Sequence, residues 1–399
     1  MQRVVGVPRA YAWGSPSAIH ELAGTEPDGA PLAELWFGAH PTGPAPTVER
    51  DSDLRSLIVE DPEGTLGRDV LNRFGAQLPY LLKLIAPTRP LSLQVHPDLG
   101  RAQERYAAEN AAGVPLDSPT RNYRDPNHKP ELVYALTTFE AVSGFRAPRR
   151  AAELLAGLDA PLARTLHGQL AADPTATGMR TAFTCLLDES TRPEAREVAE
   201  VVAACRERAE RGSPSPRADG IVTRLAEEYP HDPGVVASLL LNPVTLRPGD
   251  SLFVPAGGVH AYLSGLGVEV MASSDNVLRA GLTSKHVDVA EVLDCVDYVA
   301  APPIRIAPEV FHGATRVFYA PVDDFELSVT ALADGDCADG PRPLPGRGPR
   351  VLLCLDGAVV VTSATGTLTL GRGQAAFVRA DDGPLTIAGT GTLIQADVP

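Results

Sequence analysis

The chain is 399 residues long, 44% hydrophobic and 21% charged, with a formal net charge of −15. That length supports two or three domains around a sizeable core, and the composition is that of a globular protein. The acidic balance excludes a general nucleic-acid-binding or anionic-membrane surface, but leaves room for a small anionic substrate held by a few converging basic groups.

No basic-then-apolar leader opens the chain, and no apolar run reaches the roughly 18 residues of a membrane span, so a cytoplasmic protein without membrane partners is expected. The five cysteines (Cys185, Cys205, Cys295, Cys337, Cys354) are scattered without a C-x-x-C pair and read as reduced structural thiols. The 37 prolines and 36 glycines cluster between short apolar runs, the punctuation of a β-rich chain.

In chain order, Tyr11–Ser15 and Ala33–Pro41 read as short aromatic strands ended by turn residues, and they contain both tryptophans, Trp13 and Trp36. Trp13 reads as a sheet anchor or a pocket wall, Trp36 as core, and His40 as a pocket-rim residue. Residues 51–76 show helical spacing of leucines. Leu78–Ile85 is a buried-strand pattern with Lys83 inside it, either a snorkelling side chain or one that reaches a pocket. Residues 91–98 alternate, so Ser92, Gln94 and His96 share the face opposite Leu91, Leu93 and Val95. After an exposed helix, 101–114, comes the polar loop 122–130, with His128 read as a bystander. Glu131 then opens a strand straight after Lys129-Pro130, which holds it stiffly.

From 148 to 236 the grammar turns helical, alanine- and leucine-rich, with charges that read as solvated faces and no sign of a site. Strand grammar resumes near Leu239 and leads into Leu246–Lys285. Within that stretch Ser251–Val254 reads as a strand between two turns, and His260 opens the next strand. Residues 287–299 read as a helix, and 318–399 as short strands separated by Gly, Asp and Pro. In that tail Leu370, Gly373, Phe377 and Val378 echo the spacing of Leu246, Gly249, Phe253 and Val254.

The spacing Gly249, Pro255, Gly257, His260 resembles the second metal-binding motif of cupins, small β-barrels with metal ligands on inner strands. Gln94, His96, Glu131 and His260 are the candidate ligands. Two imidazoles, a carboxylate and an amide oxygen suit zinc, one ion per chain. A single carboxylate against a dication leaves the centre electrophilic, which favours catalysis over a structural role.

Several ordered segments then carry a closer resemblance: YAWGS, AELWFGAHP, LSLQVHPD, HKPELVYAL and LRPGDSLFVPAGGVHAYLSGLGVEVMASSDNVLRAGLTSKHVD look like type I mannose-6-phosphate isomerase, across about residues 10–290. The resemblance implies a zinc-dependent aldose–ketose isomerase that interconverts mannose 6-phosphate and fructose 6-phosphate through a cis-enediol(ate). It makes Gln94, His96, Glu131 and His260 the zinc ligands, Arg279 the catalytic arginine, and Ser92, Lys83 and Lys285 the binders of substrate phosphate. The proton-transfer base is left open among Glu269, Asp275 and Lys129; Glu269 alternates with Val268 and Val270 and so points inward. Ser284 and Leu99 depart from the family pattern without touching a ligand. The implied fold is mainly β, with cupin-like jelly-roll barrels: a catalytic unit from 1–147 and 237–310, the helical insertion 148–236, and a degenerate second barrel at 311–399. A monomer is expected. The competing readings are a cupin with other metal chemistry, such as an oxygenase, and a non-catalytic sugar-binding cupin.

Overall fold

The computed structural model describes all 399 residues, as three antiparallel sheets and a set of helices. None of the helices is long and apolar enough to cross a membrane. A six-stranded sheet contains the strands Glu34–Phe37, Tyr80–Ile85, Gly267–Ala272, Glu131–Ala135 and Ser251–Val254. A five-stranded sheet runs in the order Leu278–Gly281, Leu93–Val95, His260–Ser264, Phe139–Phe145, Leu241–Leu246. Both sheets are open at their edges; neither closes into a barrel.

Period-two alternation decides what each face of the six-stranded sheet meets. Leu82, Leu84, Leu132, Val268 and Val270 point outward into a core shared with Phe318, Phe325, Val351 and Phe377 of the C-terminal sheet. Their neighbours Ile85, Val133 and Val254 point the other way and pack on Ala141, Val244 and Tyr262 of the five-stranded sheet. Lys83, Glu131 and Glu269 share this inner face, where the apolar core gives way to a cavity. The leucine-rich Tyr80–Ile85 strand is therefore covered on both sides, which accounts for its near-continuous hydrophobic reading.

Helices occupy 148–237, from Pro148–Ala156 to Gly234–Ala237, and the helical reading of this stretch matches them. Their core is continuous with Leu93, Val95, Val142 and Ala261 on the outer face of the five-stranded sheet. Their charges are not all solvated: Asp219 is fully buried and accepts from Arg208 Nε at 3.0 Å. Removing one partner strands the other charge, so Asp219→Ala is expected to lower stability by about 3–5 kcal/mol, measured by urea unfolding.

One other expectation differs from the fold. Tyr11–Ser15 is a turn, closed by Gly14 N–H to Tyr11 O at 2.9 Å, because the chain crosses Ala33 there. A Cβ on Gly14 would lie 2.5 Å from Ala33 backbone. Its aromatic β-propensity yields to that close approach. The N-terminal Gln2–Val4 adds to the C-terminal sheet by pairing with Ala375–Phe377. The sequence echo has a backbone counterpart, since Gly249 and Gly373 both make left-handed turns (φ 92° and 76°) before the strands Ser251–Val254 and Ala375–Val378.

Candidate metal centre and active site

Strand register assembles the site. Arg279, Gln94, His260 and Ser143 lie side by side across four strands of the five-stranded sheet. On the facing sheet Trp36, Lys83, Glu269 and Val133 form one such row, and Met271, Glu131 and Val254 the next. Inward side chains from these rows enclose a cavity of about 480 Å³. The turn Pro255–Gly258 delivers His260 to its strand, with only Gly257 needing a left-handed backbone (φ 76°).

At the base of the cavity, ligand atoms of His96, Glu131 and His260 all lie within 4.8 Å of one another, and all three residues are buried. The Nδ1 of His96 bonds the Asn276 carbonyl at 2.8 Å, and that of His260 bonds the Gly258 carbonyl at 3.0 Å. Each Nδ1 is thereby the protonated nitrogen, which leaves both Nε2 lone pairs facing the Glu131 carboxylate, at 3.1 and 3.4 Å. His96 Nε2 is buried without any hydrogen-bond partner. Acceptors that converge at these distances repel one another unless a cation sits among them, and this donor set fits zinc. Gln94, next to His260 in register, can supply an amide oxygen.

The electrostatics agree. Burial pushes the His96 imidazole down to about 4 despite Glu131, keeping it neutral as a ligand must be. Burial also pushes the Glu131 carboxyl up, but the neighbouring positive charge of Lys129 opposes that, and the group is held well below the usual carboxylate range. Tyr262 donates to Glu131 Oε2 at 3.0 Å, and Lys129 Nζ stands 3.5 Å from Oε1.

Beside the ligands, Lys83 Nζ lies 2.6 Å from Glu269 Oε2 and 3.2 Å from Glu34 Oε1. Burial raises the Glu269 carboxyl to about 7, with Lys83 opposing and Glu131 adding to the rise. Lys83 thus faces two carboxylates. The cations left for an anion sit at the mouth. Arg279 is pushed down by burial and by Arg124, and Lys285 by burial, Arg279 and Arg124. Ser92 lines the same cavity, as does Leu282, whose left-handed backbone (φ 54°) is strained for a leucine. Asp275 is at the rim, a third exposed, with His40 Nε2 3.5 Å away.

Trp13 forms part of the wall, stacked on Tyr11 at 5.6 Å. Trp36 is buried yet also reaches the cavity. His128 is turned away, paired with Asp324 at 2.9 Å. Sequence reasoning missed Arg124, Glu34, Tyr11, Tyr262 and Tyr229. Tyr229 comes from the helical segment, which was expected to contribute nothing; its hydroxyl donates to Pro90 O at 2.7 Å. Glu34 had a legible signal, since it is two residues from Trp36 on one strand face.

A mainly β scaffold that buries a two-histidine, one-carboxylate centre beneath a cationic mouth defines a metalloenzyme acting on a small anionic substrate. Comparison with known proteins narrows that class. Residues 1–148 match the family described as phosphomannose isomerase type I, catalytic domain. The chain is 38% identical to mannose-6-phosphate isomerase of Escherichia coli K12 and 39% identical to that of Salmonella typhimurium LT2, each over 99% of both chains. It is 32% identical to mannose-6-phosphate isomerase 1 of Arabidopsis thaliana, over 93% of this chain and 87% of the relative. A crystal structure of mannose 6-phosphate isomerase bound with zinc and yttrium superposes with a TM-score of 0.88 at 37% identity, covering 100% of this chain and 99% of the other. The chain belongs to the type I mannose-6-phosphate isomerase family.

Proposed function

We propose that the cavity interconverts mannose 6-phosphate and fructose 6-phosphate, with zinc held by His96, Glu131, His260 and Gln94. The observation that carries the metal reading is the pair of imidazole lone pairs turned onto one buried carboxylate. The enzyme is a zinc-dependent isomerase. When bound, zinc supplies an electrophile for the negative charge that develops on the sugar oxygens during enolisation.

The chain's own residues have separable tasks. Arg124, Arg279 and Lys285, with Ser92, are suited to the phosphate, since burial and the Arg124 charge push Arg279 down, and burial with both arginines pushes Lys285 down, with no carboxylate offsetting either shift. Arg279, adjacent to Gln94 in register, can also reach past the phosphate toward the reacting oxygens. Glu269 is the group best tuned to take the C2 proton and return it at C1, because its carboxyl titrates near neutrality and Lys83 holds it in place. Lys129 is engaged with Glu131 and Asp275 with His40, so both are better suited to placing the ligands and the open-chain sugar.

The fold supports the cupin-like reading through the matching turn and strand around Gly249 and Gly373. The second unit lacks a counterpart of His260, because a short 3-10 turn, Ala380–Asp382, follows its strand. The division into 1–147 with 237–310, 148–236 and 311–399 remains our proposed domain organisation. The monomer is likewise part of the proposal, and five free thiols support a reducing, cytoplasmic setting.

A coupled assay of mannose 6-phosphate conversion, run before and after chelation and zinc return, tests reaction and metal together. Loss and recovery of turnover are expected; turnover that survives full zinc removal overturns the reading. Arg124→Ala is expected to raise KM for the sugar phosphate about tenfold to a hundredfold with a smaller change in kcat, as deletion of one charge-assisted contact would.

A further inference from the structure

Glu34 is a buried carboxylate, 6% exposed, on the inner face of its strand, and it makes no contact with a metal ligand in the site as described. One of its oxygens accepts from Lys83 Nζ at 3.2 Å and the other from Trp36 Nε1 at 2.8 Å. Lys83 in turn touches Glu269 at 2.6 Å. The three side chains form a line, carboxylate, ammonium, carboxylate, that spans the strands Glu34–Phe37, Tyr80–Ile85 and Gly267–Ala272. A buried cation with two carboxylates beside it leaves one negative charge uncompensated.

We infer that Glu34 is a positioning residue for the isomerisation: it shares Lys83 with Glu269 and so keeps Glu269 a competent proton acceptor. The inference rests on the assignment of Glu269 as the base. With Glu34 present, the Lys83 ammonium is divided between two carboxylates and its neutralising effect on Glu269 is diluted. Without that charge, Lys83 pairs with Glu269 alone, and the repulsion of one carboxylate by the other is gone. Both changes favour ionised Glu269 and weaken it as a base. The direction agrees with the raised titration of Glu269, to which Glu34 contributes. Trp36 fixes the arrangement from the other side, with Arg9 stacked 4.1 Å above its ring and His40 against its edge. The remaining charged or titratable groups around the line are Tyr11, Tyr262, whose hydroxyl faces both Glu131 and Glu269, and Glu131, Lys129 and Asp275. None of them lies between Glu34 and Lys83, so the contact is direct.

The test compares Glu34→Gln and Glu34→Asp as zinc-loaded full chains, reading kcat, KM, zinc content and the pH dependence of kcat/KM. Glu34→Gln is expected to lower kcat about tenfold, leave KM and zinc content near wild type, and move the acid limb down by roughly one pH unit. Glu34→Asp keeps the charge on a shorter arm; it is expected to leave the acid limb in place and to lower kcat less. An acid limb unmoved in Glu34→Gln, or moved equally in both variants, overturns the role. Should the glutamine variant not fold, an aspartate variant with wild-type kcat overturns it, and one with lowered kcat at unchanged KM and zinc content supports it. Failure of the underlying assignment reads differently: the Glu269→Gln enzyme would then turn over at the wild-type rate.

Discussion

Replacing His260 with alanine is expected to release the metal and abolish turnover together. His260 supplies one of the two nitrogen donors, its ring held by the Gly258 carbonyl at Nδ1, and no other histidine lines the cavity to replace it. What is left, His96, Glu131 and Gln94, is a weaker set with one imidazole. Loss of an electrophile worth about 4 kcal/mol to the transition state corresponds to roughly a thousandfold in rate. The fold should survive, because residue 260 pairs through its backbone with Gln94 and Ser143, and alanine keeps that pairing. Zinc content by elemental analysis, circular dichroism and the coupled assay together separate metal loss from unfolding. A folded, zinc-free variant with wild-type turnover would contradict the proposed centre.

How much of this was legible in the sequence follows from what alternation can and cannot encode. Period two told which face each residue takes, so Gln94 and Glu269 were correctly aimed inward from LSLQV and GVEVM. It does not tell which strands are neighbours. The row Arg279–Gln94–His260–Ser143 joins segments far apart in the chain, and only register reveals it. Lys83 shows the cost of that gap. Its inward direction was readable, but its partners Glu34 and Glu269 come from two other strands, so its assignment to phosphate came from resemblance alone. Arg124 sits in a polar loop whose place is fixed by Asn276. That buried side chain accepts from Arg124 N–H at 2.7 Å and donates to Asn127 O at 2.8 Å, while its backbone carbonyl orients His96. No local pattern announces such a clamp. Tyr229 was invisible for the same reason: its reach to Pro90 is set by how the helices dock on the five-stranded sheet.

Glu269→Gln carries the second large effect, because it separates proton transfer from binding. The carboxamide nearly matches the carboxylate in shape and still faces Lys83, while Glu34 continues to neutralise that ammonium at 3.2 Å. Neither the zinc ligands nor Arg124, Arg279 and Lys285 is disturbed. A side chain that cannot accept a proton should therefore lower kcat by about 10²–10⁴-fold, with KM and zinc content near wild type. The pH dependence has a defined sign. Glu269 works unprotonated, so kcat/KM of the parent enzyme should rise with pH through the titration of this group, which burial places at about 7 in the zinc-free protein. The positive charge of bound zinc favours the ionised form and moves that limb to lower pH. In the glutamine variant the limb should vanish rather than shift. Substrate deuterated at C2 supplies the last discrimination: if residue 269 moves that proton, the variant's residual turnover should show a larger isotope effect than the parent's, as the transfer becomes the slowest step. An unchanged isotope effect together with a surviving acid limb would reassign the base to another side chain of the cavity, with Asp275 and Lys129 the next to be replaced.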